Sequence, residues 1–496
     1  MKQPTVAVIG SGFSGLCAAI QLRKKLNIRA QVYEIKSEIG GTWNNNTYPG
    51  CACDIESALY SFSFEMNPCK KWIDWSQKYC PQQEIHQYMK QVAKKYQVYE
   101  QVQFNTQVIK AAWIEDRKQW ELTLLRDQST TEIVWFDFVF FGVGAFGVPN
   151  VPEQFKLFEG KVVHSGEWDN DYDYTDKKVA VIGSGTSAIQ IVTHLAPITK
   201  HLYSFQRSPA WILPANQIKY STYVQWLFAY VPFVMMVYRF IIFLLRDQIL
   251  FKGFKSANSW FAQRTQAGVE SHMRNQLIQH GRKDLIDKLI PDYQLGCKRV
   301  GVSDGYLAAL CRDDVTVVRS PVVKVKGRTI ETEDGEAVEV DVLCLATGFK
   351  VHQVLQDLQI YGRHGIHLNE VWNQGSAKTY KTVNIHQFPN LFMLLGPGSA
   401  LGHSSVISII EGQVNYSVDM IKYMIDHGIQ SLDPTEEAQE IYWLKTSHGI
   451  KGTVWDTACA SWYKKDGEIR SLWPHSVMNF FSMLKDQSFG QDYQAC

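Results

Sequence analysis

The sequence lacks the charge imbalance that binding to nucleic acid requires. Its 496 residues include 50 Lys and Arg and 49 Asp and Glu, so the formal net charge is +1. We therefore expect no nucleic-acid partner, because such a partner needs a strongly basic surface. Disorder is excluded as well, since 45% of the residues are hydrophobic and 13% are aromatic. At about 150 residues per domain, the length predicts about three domains.

The sequence also lacks a cysteine framework. The spacings of its ten cysteines match neither a zinc site nor a disulfide pattern, so we predict no metal and interpret them as reduced thiols. Residues 1–5 lead directly into a strand-like run at residues 6–9, which leaves no room for the apolar core of a signal peptide. From these two features we expect a cytoplasmic protein.

One segment contains very little charge. Residues 220–238 contain no charged side chain, and six apolar residues follow Arg239. Gln225, Pro232 and Arg239 inside the segment disfavour a helix that spans a membrane. We interpret the segment as buried or pocket-lining helices, with peripheral membrane contact through residues 220–251 as the alternative.

What the sequence does contain is one strand–loop–helix pattern, present twice. In such a loop the first glycine makes the tight turn and the second lets the backbone approach a pyrophosphate at the helix N-terminus. The third small residue lets the helix pack against the strand. One copy is weak evidence, but two copies in the correct context predict two dinucleotide sites. The predicted binding residues are Gly10, Gly12 and Gly15 in the first loop, and Gly183, Gly185, Thr186, Ser187 and Ala188 in the second.

Opposite charges occupy the same position after the two loops. Glu34 lies 24 residues after Gly10, and Arg207 lies 24 residues after Gly183. A carboxylate at this position accepts hydrogen bonds from ribose hydroxyls, whereas a guanidinium binds a 2′-phosphate. The first site therefore suits FAD and the second suits NADPH. Two such sites in one chain imply hydride transfer from a nicotinamide to a flavin.

A longer motif links the two loops to a known family. Residues 158–169 read FEGKVVHSGEWD, which resembles the FxGxxxHxxxW(P/D) fingerprint of the Baeyer–Villiger monooxygenases. Residues 40–57, 345–349, 388–392 and 396–398 resemble further segments of that family, in the family's order. The tail, at residues 401–405 and 459–463, is more similar to the branch that contains 4-hydroxyacetophenone monooxygenase.

The resemblance implies an NADPH- and O2-dependent flavoprotein that converts ketones to esters or lactones through a C4a-peroxyflavin and a Criegee intermediate. Its substrate would be a small apolar ketone. By the same resemblance Arg299 stabilises the anionic intermediates, and Asp54 holds this arginine beside the flavin. A permanently charged guanidinium in a dry site favours developing negative charge.

The resemblance also assigns cofactor contacts to single positions. Trp462 would pack over the nicotinamide cofactor, and Ser208 and Lys298 would join Arg207 on the 2′-phosphate. The expected FAD contacts are Phe13, Ser14, Glu34, Thr42, Trp43, Tyr48, Tyr60 and Val108.

The predicted fold class is α/β, with two Rossmann-like dinucleotide-binding domains and a helical insertion that covers the access to the substrate site. The FAD domain comprises residues 1–150 and 351–496, the second part including the C-terminal tail. The NADPH domain comprises residues 151–214 and 293–350, and the insertion comprises residues 215–292.

Three other functions stay open at this point. A protonated form of the same oxygenating flavin favours oxidation of sulfur or nitrogen, so an S- or N-oxygenase is the first alternative. A flavin disulfide reductase is the second, although Cys51 and Cys53 lack the spacing of its redox pair. The third is a non-catalytic, membrane-associated flavoprotein that senses NADPH.

Overall fold

The computed structural model describes residues 3–66, 75–351, 355, 358–374, 377–459, 461–465 and 467–495. The strands are β1 Val6–Ile9, β2 Gln31–Tyr33, β3 Val102–Gln103, β4 Thr106–Ile114, β5 Gln119–Arg126, β6 Thr130–Phe136, β7 Phe138–Phe141, β8 Lys161–His164, β9 Lys178–Ile182, β10 His201–Phe205, β11 Ile212–Leu213, β12 Gly301–Val302, β13 Val315–Val318, β14 Val322–Lys326, β15 Thr329–Thr332, β16 Ala337–Glu339, β17 Val342–Leu345, β18 Gln359–Tyr361, β19 Leu391–Met393, β20 Leu432–Pro434, β21 Lys464–Lys465, β22 Glu468–Ile469 and β23 Tyr493–Ala495. The α-helices are α1 Phe13–Leu26, α2 Thr42–Asn45, α3 Gln82–Lys95, α4 Thr186–Leu195, α5 Thr222–Tyr230, α6 Pro232–Leu244, α7 Phe251–Lys255, α8 Trp260–Gln279, α9 Ile286–Leu289, α10 Tyr306–Leu310, α11 Leu368–Gln374, α12 Val406–His427, α13 Glu436–Ile450 and α14 Val477–Lys485.

The first parallel sheet carries the first glycine loop. Its five strands lie in the order β19-β7-β1-β2-β3, and Val8 of β1 lies between Phe140 and Val32. All four residues of β1 are buried, as expected for a parallel strand covered on both faces. Helix α1 leaves the loop and packs against α12. Basic residues in its last turn stabilise the helix C-terminus, which ends at Asn27 in the left-handed conformation.

The second parallel sheet repeats this arrangement around the second loop. Its strand order is β13-β10-β9-β17-β8, and Val181 of β9 lies between Ser204 and Cys344. Helix α4 follows the loop and packs against α10. The predicted α/β class with two Rossmann-like units is confirmed. In both sheets the loops lie at the carboxyl ends of the strands, where α/β proteins bind their ligands.

Two smaller sheets flank the parallel ones. Strands β18-β4-β5-β6 form one, in which β4, β5 and β6 are antiparallel neighbours. Strands β14-β15-β16 form an antiparallel sheet that follows β13 along the chain. Because these sheets carry neither glycine loop, the two parallel sheets determine where the site lies.

The segment predicted as an insertion is helical. Helices α5 to α9 lie within it, and a π-helical turn at Leu245–Leu250 connects α6 to α7. Among the described residues no single helix is long and apolar enough to cross a membrane. Two neighbouring helices, Thr222–Tyr230 and Phe233–Gly253, are together long and apolar enough for a membrane span, but the angle between them is 100°.

The interpretation of all ten cysteines as reduced thiols is wrong. Cys297 and Cys459 form a disulfide across 162 residues of sequence. Their separation hides the pair from any spacing rule, because the fold alone brings the tail to the segment before β12. Six other described cysteines are free and buried: Cys17, Cys51, Cys53, Cys80, Cys311 and Cys344. The disulfide also removes the cysteine argument for a reducing compartment.

We expect the disulfide to be visible in the thiol chemistry of the unfolded chain. When the protein is unfolded without reductant and alkylated, Cys297 and Cys459 should stay unmodified, since neither carries a free thiol. Peptide mapping by mass spectrometry, with a pre-reduced sample as control, makes the measurement. An alkylated Cys297 in the unreduced sample would contradict the pairing.

Candidate functional site

The first glycine loop forms a cradle that side chains cannot enter. Gly10 has a φ of +94°, and its N–H donates to the carbonyl of Tyr33 at 2.8 Å. A Cβ atom on Gly15 would lie 1.9 Å from the Gly10 oxygen, so only glycine fits between loop and helix. Gly12 begins α1 with no side-chain cap, which leaves the N–H groups of the first turn for an anion. These features fit a pyrophosphate.

The second loop has the same construction. Gly183 has a φ of +127°, and a Cβ atom on it would lie 2.5 Å from the Ala346 oxygen. A Cβ atom on Gly185 would meet nothing within 4 Å, so the mouth of this loop is open. Ala188 is fully buried where α4 crosses the sheet. Thr186 and Ser187 form the first turn of α4, which has no side-chain cap.

Glu34 is buried directly after β2, at the edge of the first loop. Its carboxylate accepts hydrogen bonds from the Ser11 N–H at 2.9 Å and the Ser11 hydroxyl at 2.6 Å. The Lys36 N–H donates to the other carboxylate oxygen at 2.9 Å. This network fixes the carboxylate where a ribose hydroxyl can donate to it.

Three residues for a 2′-phosphate come together after β10. The Lys298 ammonium donates to the Ser208 hydroxyl at 2.7 Å, and Ser184 of the loop donates to the Ser208 carbonyl at 2.6 Å. Arg207 is exposed. Arg207 directly precedes Ser208, which Lys298 contacts. Burial lowers the pKa of Lys298, and the charge of Arg207 lowers it further. Two adjacent cations and a hydroxyl suit a phosphate.

Aromatic residues that the resemblance assigns to FAD lie together beside the first loop. Phe13 contacts Tyr60 edge-on with 5.3 Å between ring centroids, and the Trp43 indole N–H donates to the Tyr60 hydroxyl at 3.2 Å. Ser14 is buried beside Phe13 in α1, and Thr42 begins α2. Five of the predicted FAD contacts therefore lie in one region.

Two predicted FAD contacts lie apart from that aromatic group. The Tyr48 hydroxyl donates to the Gln190 side chain at 2.9 Å, so Tyr48 joins the flavin side to α4. Val108 of β4 is buried in a hydrophobic core cluster and lies opposite Leu124 of the neighbouring strand β5. It lies two residues after Thr106, whose N–H donates to the Glu34 carbonyl at 2.9 Å. A role for Val108 at the cofactor stays a prediction.

Arg299, just before β12, and Asp54, in the loop between α2 and α3, form a bidentate ion pair. The Arg299 Nη2 and Nε atoms donate to the Asp54 carboxylate at 2.6 and 2.9 Å, and Nη1 donates to the Leu401 carbonyl at 3.2 Å. Burial alone would raise the pKa of Asp54, but the charge and hydrogen bonds of Arg299 outweigh it and lower the pKa. Burial opposes the charge on Arg299, and Asp54 overcomes it and raises the arginine pKa. Both groups therefore stay ionised.

Sequence reasoning missed a tyrosine beside this pair. Tyr463 is buried, and its hydroxyl lies close to Arg299. Burial raises the pKa of Tyr463, although Arg299 partly counteracts that rise, so the hydroxyl stays protonated at neutral pH. Trp462, the residue before Tyr463, lies in the tail segment that resembles the family. That resemblance is the sequence signal that could have identified Tyr463.

The fingerprint segment lies where the chain crosses between the sheets. His164 hydrogen-bonds with the Gly348 carbonyl at 3.0 Å and contacts the ring of Phe349. Phe349 contacts Phe146, which in turn contacts Trp462 with 5.8 Å between centroids. Trp462 thus reaches the crossing segments from the tail. Its stacking on a nicotinamide stays a prediction.

The residues present fit two dinucleotides. Each loop offers an uncapped helix N-terminus behind glycines, one beside a carboxylate and the other beside two cations. Among the described residues, no group of three or more His, Cys, Asp or Glu could hold a metal ion. Burial raises the pKa of Cys51 to about 12, which disfavours a reactive thiolate there.

Comparison with known proteins agrees with this geometry. The model of the flavin-binding monooxygenase-like family matches residues 3–360. The FAD-binding monooxygenase ktnD of Aspergillus niger is 36% identical, with 96% of this chain and 79% of that protein aligned. A Baeyer–Villiger monooxygenase of Pseudomonas aeruginosa is 35% identical over 97% of this chain and 89% of that protein.

Solved structures resemble the chain along its whole length. A steroid monooxygenase in its oxidised form, bound to NADP, is 26% identical with a TM-score of 0.87, and 99% of each chain is covered. Cyclohexanone monooxygenase from Rhodococcus sp. Phi1 bound to NADP+ is also 26% identical, with a TM-score of 0.86 and 99% of each chain covered.

Proposed function

The chain belongs to the flavin-binding monooxygenase-like family, and we propose that Arg299, held by Asp54, is the residue at which it oxygenates a small apolar ketone. As a monooxygenase of the Baeyer–Villiger type it uses FAD, NADPH and O2 and forms esters or lactones. The observation that carries the role of Arg299 is its bidentate pair with Asp54, which joins segments 245 residues apart in the sequence. No cluster of reactive thiols is needed for this chemistry.

Each cofactor has a distinct place in the proposal. Bound FAD and NADPH together supply the electrons that activate O2. The first loop, with Glu34, holds the FAD pyrophosphate and ribose, and Phe13, Trp43 and Tyr60 line its flavin side. The second loop holds the NADPH pyrophosphate, and Arg207, Ser208 and Lys298 bind its 2′-phosphate.

The role of Arg299 follows from its environment. Asp54 and the Leu401 carbonyl accept three of its hydrogen bonds, so the guanidinium plane cannot rotate freely. It is half-buried and carries a permanent charge, which stabilises negative charge on the reacting oxygen better than water does. Asp54 is the positioning residue of the pair.

We further propose the domain limits and location that the sequence indicates. The FAD domain comprises residues 1–150 and 351–496, and the NADPH domain comprises residues 151–214 and 293–350 around the insertion at 215–292. The strand composition of the two parallel sheets supports this division.

The proposed location is the cytoplasm, with peripheral membrane contact through residues 220–251.

A substrate panel tests the proposed reaction against its nearest alternative. The purified holoenzyme is incubated with NADPH and linear, cyclic and aryl ketones, and in parallel with sulfides and amines. Mass spectrometry should find esters or lactones from at least one ketone class. If only sulfoxides or N-oxides form, the ketone proposal is wrong and an S- or N-oxygenase replaces it.

The 2′-phosphate site predicts a pH dependence. Because burial and Arg207 lower the pKa of Lys298 below its ordinary 10.5, this lysine loses its charge earlier than a free lysine as the pH rises. We expect kcat/KM for NADPH to fall in that alkaline range, since this ratio reports on the free enzyme. kcat/KM for NADH, which lacks the phosphate, should not show this fall. If kcat/KM for NADPH falls in the same pH range in Lys298→Met, a group other than Lys298 is responsible for the fall.

A further inference from the structure

Helix α6 and the turn after it present an apolar stripe to the solvent. Phe233 is 66% exposed and Phe240 is 58% exposed. The spacing of three or four residues places these side chains on one face of the helix. The stripe, called the outer stripe below, consists of Phe233, Met236, Val237, Phe240, Ile241 and Leu245, all exposed.

The arginines of this helix and of the turn after it, Arg239 and Arg246, point inward, which reverses the usual pattern of a surface helix. The Arg239 guanidinium donates to the Ala58 carbonyl at 2.8 Å and to the Ser61 hydroxyl at 2.9 Å. Arg246 donates to the Glu56 carboxylate at 2.5 Å. A soluble surface would gain from the opposite arrangement, so the outer stripe requires an apolar partner.

The exposed charges of the segment that carries the outer stripe have one sign. Between residues 215 and 265 the only acidic residue is Asp247, which is buried and accepts the Val477 N–H at 2.6 Å. The exposed charged residues of this segment are all basic: Lys219, Lys252, Lys255 and Arg264. An apolar stripe with basic neighbours complements a lipid surface that contains anionic headgroups.

Helix α5 adds aromatic residues next to the outer stripe. Tyr223 and Trp226 are exposed, and their rings stack with 6.3 Å between centroids. Trp and Tyr favour the depth of lipid headgroups, where an apolar ring and a polar group are both satisfied. Because α5 and the helix after it are bent by 100°, they suit a position on the bilayer rather than across it.

We propose that the outer stripe binds the surface of a bilayer that contains anionic lipid. A second copy of the chain is disfavoured, because a symmetric contact would place the basic residues of this segment near their own counterparts. The exposed part of the segment offers no acidic side chain to balance them. The bilayer satisfies both the apolar stripe and the basic residues.

The lipid surface would then lie close to the reacting centre. Arg246 of the inner face pairs with Glu56, two residues after Asp54, and also donates to the His403 carbonyl at 3.3 Å. Arg299 donates to the carbonyl of Leu401, two residues before His403. The helix and turn that carry the outer stripe therefore separate the lipid from the Arg299–Asp54 pair. A ketone dissolved in the bilayer reaches the site from this side. This part of the inference rests on the proposed ketone oxidation.

Vesicle flotation tests the binding. The holoenzyme is mixed with vesicles of phosphatidylcholine alone or with added phosphatidylglycerol, and should float with the mixed vesicles. The variant F233E/F240E should bind them at least about tenfold more weakly, since two apolar anchors are lost. The matched control I441E/L444E alters two residues of α13 that are 59% and 54% exposed, and should float like the wild type.

Two further experiments distinguish a lipid surface from a second copy of the chain as the partner of the outer stripe. K252E/K255E should lose the preference for phosphatidylglycerol. If the holoenzyme floats with neither vesicle, the proposal is overturned. If sedimentation equilibrium shows a dimer that F233E/F240E dissociates and flotation fails, a second copy covers the stripe.

The activity readout keeps this proposal separate from the proposed reaction. Oxidation of cyclohexanone in solution should be equal for wild type and F233E/F240E. Oxidation of a long-chain methyl ketone dissolved in the mixed vesicles should fall in the variant by about the factor lost in binding. Flotation without any ester would leave the lipid site standing and overturn the ketone reaction. Equal oxidation of the vesicle-borne ketone by both proteins would overturn the route through the bilayer.

Discussion

Replacing Arg299 with alanine should slow ester formation by about 10²–10³-fold while NADPH still reduces the flavin. Arg299 supplies fixed positive charge to the reacting oxygen, and loss of one such group costs about 10²–10³ in kcat. In the proposal NADPH binds through the second loop, Arg207 and Lys298, none of which the substitution changes. Stopped-flow absorbance of the flavin measures its reduction, and mass spectrometry measures the ester.

A conservative variant controls for the ion pair. Arg299→Ala leaves the Asp54 carboxylate buried without its partner, which destabilises the site independently of catalysis. Arg299→Lys keeps the charge but loses the bidentate geometry, so ester formation should be reduced less than in Arg299→Ala. Loss of FAD from the purified alanine variant, or unchanged ester yield, would contradict the assigned role.

Replacing Arg207 with alanine should change the preference between the two nicotinamide cofactors. A charge-assisted hydrogen bond contributes about 1.5–3 kcal/mol, so kcat/KM for NADPH should fall roughly 10- to 150-fold. The value for NADH should barely change, because NADH lacks the 2′-phosphate. Steady-state kinetics with both cofactors measures the ratio.

The matched control is another exposed arginine. Arg117 lies between β4 and β5 and covers the ring of Trp135, away from the second loop, so Arg117→Ala should leave the ratio unchanged. Equal losses for NADPH and NADH in Arg207→Ala would mean that the residue supports the fold rather than the phosphate.

The two loops were predictable because their constraints are local. The positive φ of Gly10 and Gly183 and the close packing at Gly15 act within a few residues of sequence. The position of Glu34 after β2 depends only on the length of one strand–helix–strand unit. The same holds for Arg207 after β10, so counting residues from the first glycine of each loop was enough to find both charged side chains.

Contacts between distant segments were not predictable in this way. Arg299 and Asp54 are 245 residues apart, and only the family resemblance paired them. The Cys297–Cys459 disulfide and the contact of Tyr463 with Arg299 depend on how the tail folds back, which no spacing encodes. The inward orientation of Arg239 in α6 and of Arg246 in the turn after it required the structure as well, because the sequence shows the charges but not which face is buried.

The most direct test of the central claim follows one oxygen atom. The holoenzyme is given NADPH, isotopically labelled O2 and a ketone that it converts, and the product is analysed by mass spectrometry. The account predicts an ester that carries one labelled atom for each NADPH consumed. NADPH consumption that yields hydrogen peroxide and no labelled ester from any ketone would contradict it.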